Sequence, residues 1–334
     1  MTYKFNAPWH PLKKVCLGRS YPEAFYKDIR NGKIRNVLQQ LAYETEEDYK
    51  NIQNVLESLG VTVVRPIIPD SNIMDYVDQK GQLNYKTTKS FTLIPKPPMQ
   101  PRDSQLIVGD KLLATNSEIT MYKSVLEHNQ INHVPKRLQF DAPLVTVIGN
   151  SLIVDKRDHP WLGNYMSEYF TDRKIIAVDI GGHNDAVFAP ILPGVIISTH
   201  YKKCYQESFP KWNVCHIKKQ SWNALPKWRK LKHSNQDKWW MPGEENNKEF
   251  VHFVDDWISH WLGFVAETVF DVNVLVVNPK IVLVNNYNAE VFAFFKKHHI
   301  EPIITSFRHR FFWDGGIHCI TSDLYREGEP EDYI

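Results

Sequence analysis

Apolar residues run through this chain in short, paired bursts. Leu12 to Arg19, LKKVCLGR, reads as a strand that Gly18 ends, and between Lys33 and Leu59 the positions Ile34, Val37, Leu38, Leu41, Tyr49, Ile52, Val55 and Leu56 fall at helical spacing. Gly60 stands where a helix C-terminus wants it. Val61 to Ile68, VTVVRPII, predicts a strand, and the polar, proline-dotted residues that follow to Pro101 predict a long loop.

From Leu106 onward one pattern recurs: apolar strand, tight polar or glycine turn, apolar strand. It occupies Leu106–Leu113, Val145–Val154, Phe188–Ile197 and Val274–Leu283, with turns at Gly109-Asp110, Gly149-Asn150, Pro193-Gly194 and Pro279-Lys280. Each hairpin is followed by a predicted helix and then by a β-rich segment: Asn132–Val134, Lys174–Val178, Asn213–Ile217 and Glu301–Thr305. The N-terminal strand, with the last strand near Ile320–Leu324 as its hairpin partner, supplies a fifth unit of the same kind. Units that cannot bury their own faces stack, and a closed ring spares them exposed edges. The expected fold is therefore α/β, a ring of five mixed units with pseudo-fivefold symmetry in a single domain over 1–334. Pro210 to Glu249 interrupts the pattern with Trp212, Trp222, Trp228, Trp239 and Trp240 among lysines and asparagines. That insertion is expected to fold against the ring by its tryptophans rather than to form a nucleic-acid surface; a lid or a homo-oligomer contact is the alternative.

Composition narrows the function classes. The chain has 334 residues, 43% hydrophobic and 23% charged, and its formal net charge of +2 comes from 40 basic and 38 acidic residues without a dominant block. Neither nucleic acid nor an anionic membrane is indicated, and small-molecule ligands remain. Cys16, Cys204, Cys215 and Cys319 form no CxxC and no zinc spacing, which suits free thiols in a reducing compartment. With no signal-peptide core near Met1 and no apolar run of about 18 residues, a cytoplasmic protein is expected.

If the units surround an axis, residues just ahead of each hairpin share one end of it. Asp103, Asp141 and Asp185 hold such places, with His183 beside Asp185, and Cys319 stands ahead of the last strand in Asp314-Gly315-Gly316-Ile317-His318-Cys319. Two glycines before a cysteine allow a sharp turn and the close approach of a ligand to the thiol. A guanidinium is a planar cation whose N–H fork fits carboxylates, so Asp103 and Asp185 could orient it while Cys319 attacks its central carbon. His183, polarised by a carboxylate such as Asp141, could protonate the departing amine and then activate a second nucleophile. Taken singly, Asp103 and Asp141 are ordinary turn or salt-bridge residues and Cys319 an ordinary core cysteine. A metal held by His183, Asp185, His318 and Cys319 lacks the spacing of a zinc motif.

Several segments resemble the amidinotransferase family, which includes glycine amidinotransferase. They are Trp9-His10-Pro11-Leu12-Lys13-Lys14-Val15 through Gly18-Arg19, Pro101-Arg102-Asp103, Phe140-Asp141-Ala142, His183-Asn184-Asp185-Ala186 with Pro193-Gly194, and Gly315-Gly316-Ile317-His318-Cys319 followed by Asp323 and Gly328. The resemblance spans nearly the whole chain and implies a five-bladed α/β propeller. It implies that Cys319 carries the amidino group, His183 is the acid and base, Asp141 its partner, and Asp103 and Asp185 contact the guanidinium. L-Arginine would be the donor, ornithine the first product and an amine the acceptor, with no cofactor or metal; water as acceptor, or an inactive binding protein, are the alternatives. Three places depart from the family pattern. Lys202 stands where an arginine for the donor carboxylate is expected, Gly181 and Gly182 precede His183 in place of a bulkier residue and would widen the pocket, and Ala266-Glu267-Thr268 replaces a serine pair. Glu267 would favour a cationic acceptor.

Overall fold

Each predicted hairpin forms, and each carries a third strand on the same side. The computed structural model describes residues 3–76, 94–127, 130–199, 204–218, 241, 243–244, 246–262 and 269–334. Its strands are β1 (Leu12–Leu17), β2 (Thr62–Val64), β3 (Gln105–Val108), β4 (Lys111–Ala114), β5 (Ile131–His133), β6 (Val145–Ile148), β7 (Ser151–Asp155) and β8 (Lys174–Val178). They continue as β9 (Phe188–Leu192), β10 (Val195–Ser198), β11 (Asn213–His216), β12 (Leu275–Asn278), β13 (Ile281–Val284), β14 (Glu301–Ile304) and β15 (Thr321–Arg326). They make five three-stranded sheets, ordered β15-β1-β2, β3-β4-β5, β6-β7-β8, β9-β10-β11 and β12-β13-β14. In every sheet the middle strand runs antiparallel to the first and parallel to the third.

The burial follows the same rule five times. The leading strands, for example β3 and β15, are almost wholly buried, whereas the third strands, such as β5 and β11, are partly or fully exposed. Ile107, Val147, Phe188, Val276 and Ser322, one from each leading strand, line a common cavity of ≈ 70 Å³, and Asp185 and His318 border it. The third strands are edges of only three to five residues, short enough to offer little template for pairing.

A parallel third strand needs a crossover. Helix α1 (Gly32–Ser58) supplies it in the first unit, capped by Asn31, whose side chain accepts from the Lys33 N–H, and it buries Val37, Leu38, Leu41, Tyr49, Ile52 and Leu56 on one face. Gly60 follows at φ +78, the left-handed conformation its position requires. Helix α2 (Leu162–Tyr169) serves β7 and β8, and Ala289–Lys297 serves β13 and β14. Two expected helices are shorter among the described residues: between β4 and β5 there is a 3-10 turn, Ser117–Tyr122, and between β10 and β11 the short α3 (Cys204–Ser208).

The strand expected over Val61–Ile68 shrinks to β2. Arg65 turns away to make paired 2.8 Å bonds to the Glu46 carboxylate on α1 and donates to the Gly18 carbonyl, and Pro66 has no N–H to continue a ladder. Of the insertion tryptophans, Trp212 packs on Trp9 and Phe209 and donates to the Tyr333 carbonyl at 3.1 Å, the inward role expected of it. Trp222, Trp228, Trp239 and Trp240 lie outside the described residues. No described helix is long and apolar enough to cross a membrane.

The C-terminal residues strap several units together: Glu327 N–H donates to Pro11 and the Glu331 carbonyl accepts from Asn150 N–H at 2.8 Å. Gly149, at φ +57 in its hairpin turn, leaves room for that strap, because a Cβ there would overlap the Glu331 carbonyl and the Tyr333 ring. Gly149→Ala should cost about 1–3 kcal/mol through this clash and the strained backbone. A lowered Tm with faster proteolysis of the C-terminal residues is the expected record.

Candidate active site

The short helix Arg310–Trp313 ends at Asp314, whose φ of 52 turns the chain left-handed, and the loop Gly315–Ile320 follows. Gln100 fastens the turn by donating its amide to the Trp313 and Asp314 carbonyls. At Gly315 and Gly316 protein groups pack closely against the backbone. A Cβ on Gly315 would lie 2.8 Å from the Cys319 Cβ, and one on Gly316 would lie 2.6 Å from Asn273 Oδ1 and 2.7 Å from Asn285 Nδ2. Cys319 is thereby held at 7% exposure, its sulfur 3.0 Å from Asn273 Nδ2 and 3.7 Å from Asp185 Oδ2.

His183, Asn184 and Asp185 share one turn ahead of β9. Asn184, buried, donates to the Leu144 and Ile153 carbonyls and to Thr146 Oγ1, tying that turn to the β6-β7-β8 sheet. His183 Nε2 therefore reaches Asp141 Oδ2 at 3.3 Å. Asn116 spans the remaining gap, its Nδ2 3.0 Å from Asp141 Oδ1 and 3.0 Å from the Asp103 carbonyl. Arg102 donates to the Thr321 carbonyl at 2.9 Å and pairs with Asp323 at 3.2 Å, which fixes the Asp103 turn beside the loop that carries Cys319.

The charges are arranged to be unequal. Burial drives the Asp103 carboxyl up to about 7, helped by Asp141 and Asp185 and opposed by His183 and Lys96. Asp103 Oδ1 and Asp185 Oδ1 are both buried without a hydrogen-bond partner among the described residues. Burial would lower His183, but the Asp141 hydrogen bond and the charges of Asp103 and Asp185 outweigh it and lift the imidazole to about 9. Burial raises Asp185, but His318, whose Nδ1 lies 2.7 Å from its Oδ2, together with His183 and Arg102 outweighs that, so its net shift is downward. For Cys319, burial together with Asp185 and Asp103 holds the thiol well above its ordinary value, against a downward pull from Asn273. A cation placed between these carboxylates would relieve Asp103 and favour the thiolate at once.

Cys319, His183, Asp141, Asp103 and Asp185 thus lie in one locality. Lys202 and Ala266-Glu267-Thr268 lie outside the described residues. Gly182 has open space where a Cβ would be, whereas Gly181 is closed over by Arg157, so only the first opens room beside His183. Sequence reasoning gave no role to Asn116, Asn184, Asn273 or Asn285, and none to His318 beyond a metal reading. Isolated amides carry no periodic or motif signal. Among the described residues no group of three His, Cys, Asp or Glu side chains is arranged to hold a metal ion.

No protein-family model matches the chain. Along 98% of its length it is 21% identical to an L-arginine:L-lysine amidinotransferase of Pseudomonas savastanoi pv. phaseolicola, covering 90% of that protein. Two solved structures share its mixed α/β fold. One is the inosamine-phosphate amidinotransferase of Streptomyces griseus, with a TM-score of 0.66, 18% identity and 99% coverage of each chain. The other is SxtG of Microseira wollei, an amidinotransferase in the saxitoxin biosynthetic pathway, with a TM-score of 0.67, 16% identity and 99% coverage of each chain. Sequence similarity along nearly the full length and the shared fold point the same way: this chain is similar to amidinotransferases.

Proposed function

We propose that the protein moves the amidino group of L-arginine to a primary amine by way of an amidino-cysteine at Cys319, on a ring of five blades whose leading strands surround the common cavity. Asp103 and Asp185 hold the guanidinium through its N–H fork. The Cys319 thiolate forms a bond to the guanidinium carbon, giving a neutral tetrahedral adduct. Protonated His183 then delivers its proton to the ornithine nitrogen as the C–N bond breaks, and the amidino group stays on sulfur as a cation. Neutral His183 takes a proton from the incoming amine, that nitrogen bonds to the carbon, and the thiolate leaves. Charge balances in both halves, and His183 ends protonated as it began.

The observation that carries this reading is the pairing of a buried sulfur beside Asp185 with an imidazole lifted to about 9 amid three carboxylates. The decisive test is mass spectrometry after incubation with L-arginine: an amidino adduct on the Cys319 peptide, with ornithine released in equal amount, is expected. Lysine, the acceptor named for the Pseudomonas relative, should discharge the adduct as a guanidino product. Citrulline or urea formed without added amine would replace transfer by hydrolysis.

Asp103 supplies a further prediction. A carboxyl lifted to about 7 holds its proton more tightly in the folded chain than in the unfolded one, so its contribution to stability falls as pH rises from about 4 to 7. Bound guanidinium reverses that. Asp103→Asn should therefore match or exceed the wild-type Tm at pH 8 while its arginine KM rises about 10- to 100-fold, the worth of a charge-assisted pair. The wild-type KM should itself climb below pH 7. An unchanged KM in the variant would remove Asp103 from the donor site.

A further inference from the structure

We infer that Asn273 is a positioning residue for the nucleophile, presenting its amide N–H to the Cys319 sulfur and joining that sulfur to the carboxylate of Asp185. The inference rests on the proposed role of Cys319.

Asn273 stands just ahead of β12 and is fully buried, in a different sheet unit from the loop it serves. Its Oδ1 accepts from the backbone N–H groups of His318 at 2.9 Å and Cys319 at 3.3 Å. Those two donors require an oxygen on that side of the carboxamide, so the NH₂ must face the other way. There it meets Cys319 Sγ at 3.0 Å and Asp185 Oδ2 at 3.3 Å. The orientation is therefore fixed by the backbone and not by the sulfur.

Asn285 fixes Asn273 in turn. Its Nδ2 donates to the Asn273 carbonyl at 2.6 Å and the Phe270 carbonyl at 3.1 Å, and its Oδ1 accepts from the Ile317 N–H at 2.8 Å. Both carboxamides close over Gly316, where any Cβ would strike them. A neutral thiol is a weak acceptor and a thiolate a strong one, so the Asn273 N–H gains strength as the sulfur loses its proton. Among the described residues, the charged groups acting on the sulfur are Asp185 and Asp103, which oppose ionisation, while His318 and Arg102 face Asp185 and Asp323 instead. When a guanidinium takes up Asp185, the amide is left to the sulfur.

The test is the pH dependence of Cys319 alkylation by iodoacetamide, followed by peptide mass spectrometry in the absence of arginine. Asn273→Asp keeps an oxygen for the two backbone donors and removes the N–H, and Asn273→Ala removes both. Each should slow Cys319 alkylation at pH 8 at least about tenfold, the effect of an upward shift of one unit in the thiol, with Cys16 and Cys215 unaffected. Asn285→Ser, which loosens the same loop without touching the sulfur, should lower Tm but leave the midpoint of the profile in place. An unmoved profile in both Asn273 variants overturns the inference, as does an equal displacement in Asn285→Ser. Because no arginine is used, a missing amidino adduct in the wild type would refute the role of Cys319 in transfer while leaving this result standing, and the converse pattern would refute Asn273 alone.

Discussion

Cys319→Ser should bind L-arginine within a few-fold of wild type and release no measurable ornithine, a loss in turnover on the order of 10⁴ or more, as befits removal of a nucleophile. The reason lies in what the substitution spares. Asp103 and Asp185 stay where they are, held by Arg102 and by the Asn184 anchor, so the cation still finds its carboxylates. A serine hydroxyl beside two carboxylates has no means of ionising near neutral pH, whereas a thiol starts far closer to that threshold even when burial raises it. Calorimetric titration with arginine together with an ornithine assay checks both halves. Turnover surviving in this variant would end the covalent mechanism, and loss of binding alone would recast Cys319 as a structural residue.

His183→Asn should lower turnover about 10²- to 10⁴-fold, the usual worth of a positioned acid and base, and should also change the shape of the pH profile. Transfer to sulfur needs the protonated imidazole, so the wild-type rate of ornithine release falls as pH rises through about 9. The variant should lack that limb. A raised folded pKa contributes stability that is present below the unfolded value near 6.5 and fades as pH passes 9, so any loss of Tm in His183→Asn should be largest in mild acid and absent at high pH. His183 also restrains Asp103, and without it the Asp103 carboxyl rises further, moving the arginine-binding midpoint to higher pH. A variant with wild-type ornithine release at pH 7 would exclude His183 from proton transfer.

Most of the architecture was legible because hairpins are local. The alternation within Val145–Val154 and the Gly149-Asn150 turn specify β6 and β7 with no reference to distant residues. Even the pairing of β1 with β15 followed, since a lone N-terminal strand and a lone C-terminal strand were left over once four hairpins had been counted. Reading went wrong where a side chain found a better partner than its own strand. Arg65 is the plain case, drawn to Glu46 across α1 and away from the ladder that VTVVRPII suggested.

The amino-acid sequence alone determined the five-unit repeat and the candidate site residues, because strand alternation, turn chemistry and rare residue types are written at short range. Tertiary structure decided how those groups are held: Asn273 and Asn285 over Gly316, Asn116 between Asp103 and Asp141, and His318 on Asp185. A carboxamide or an imidazole can pair with almost any polar neighbour, and which neighbour it meets is settled only when separate sheets pack together.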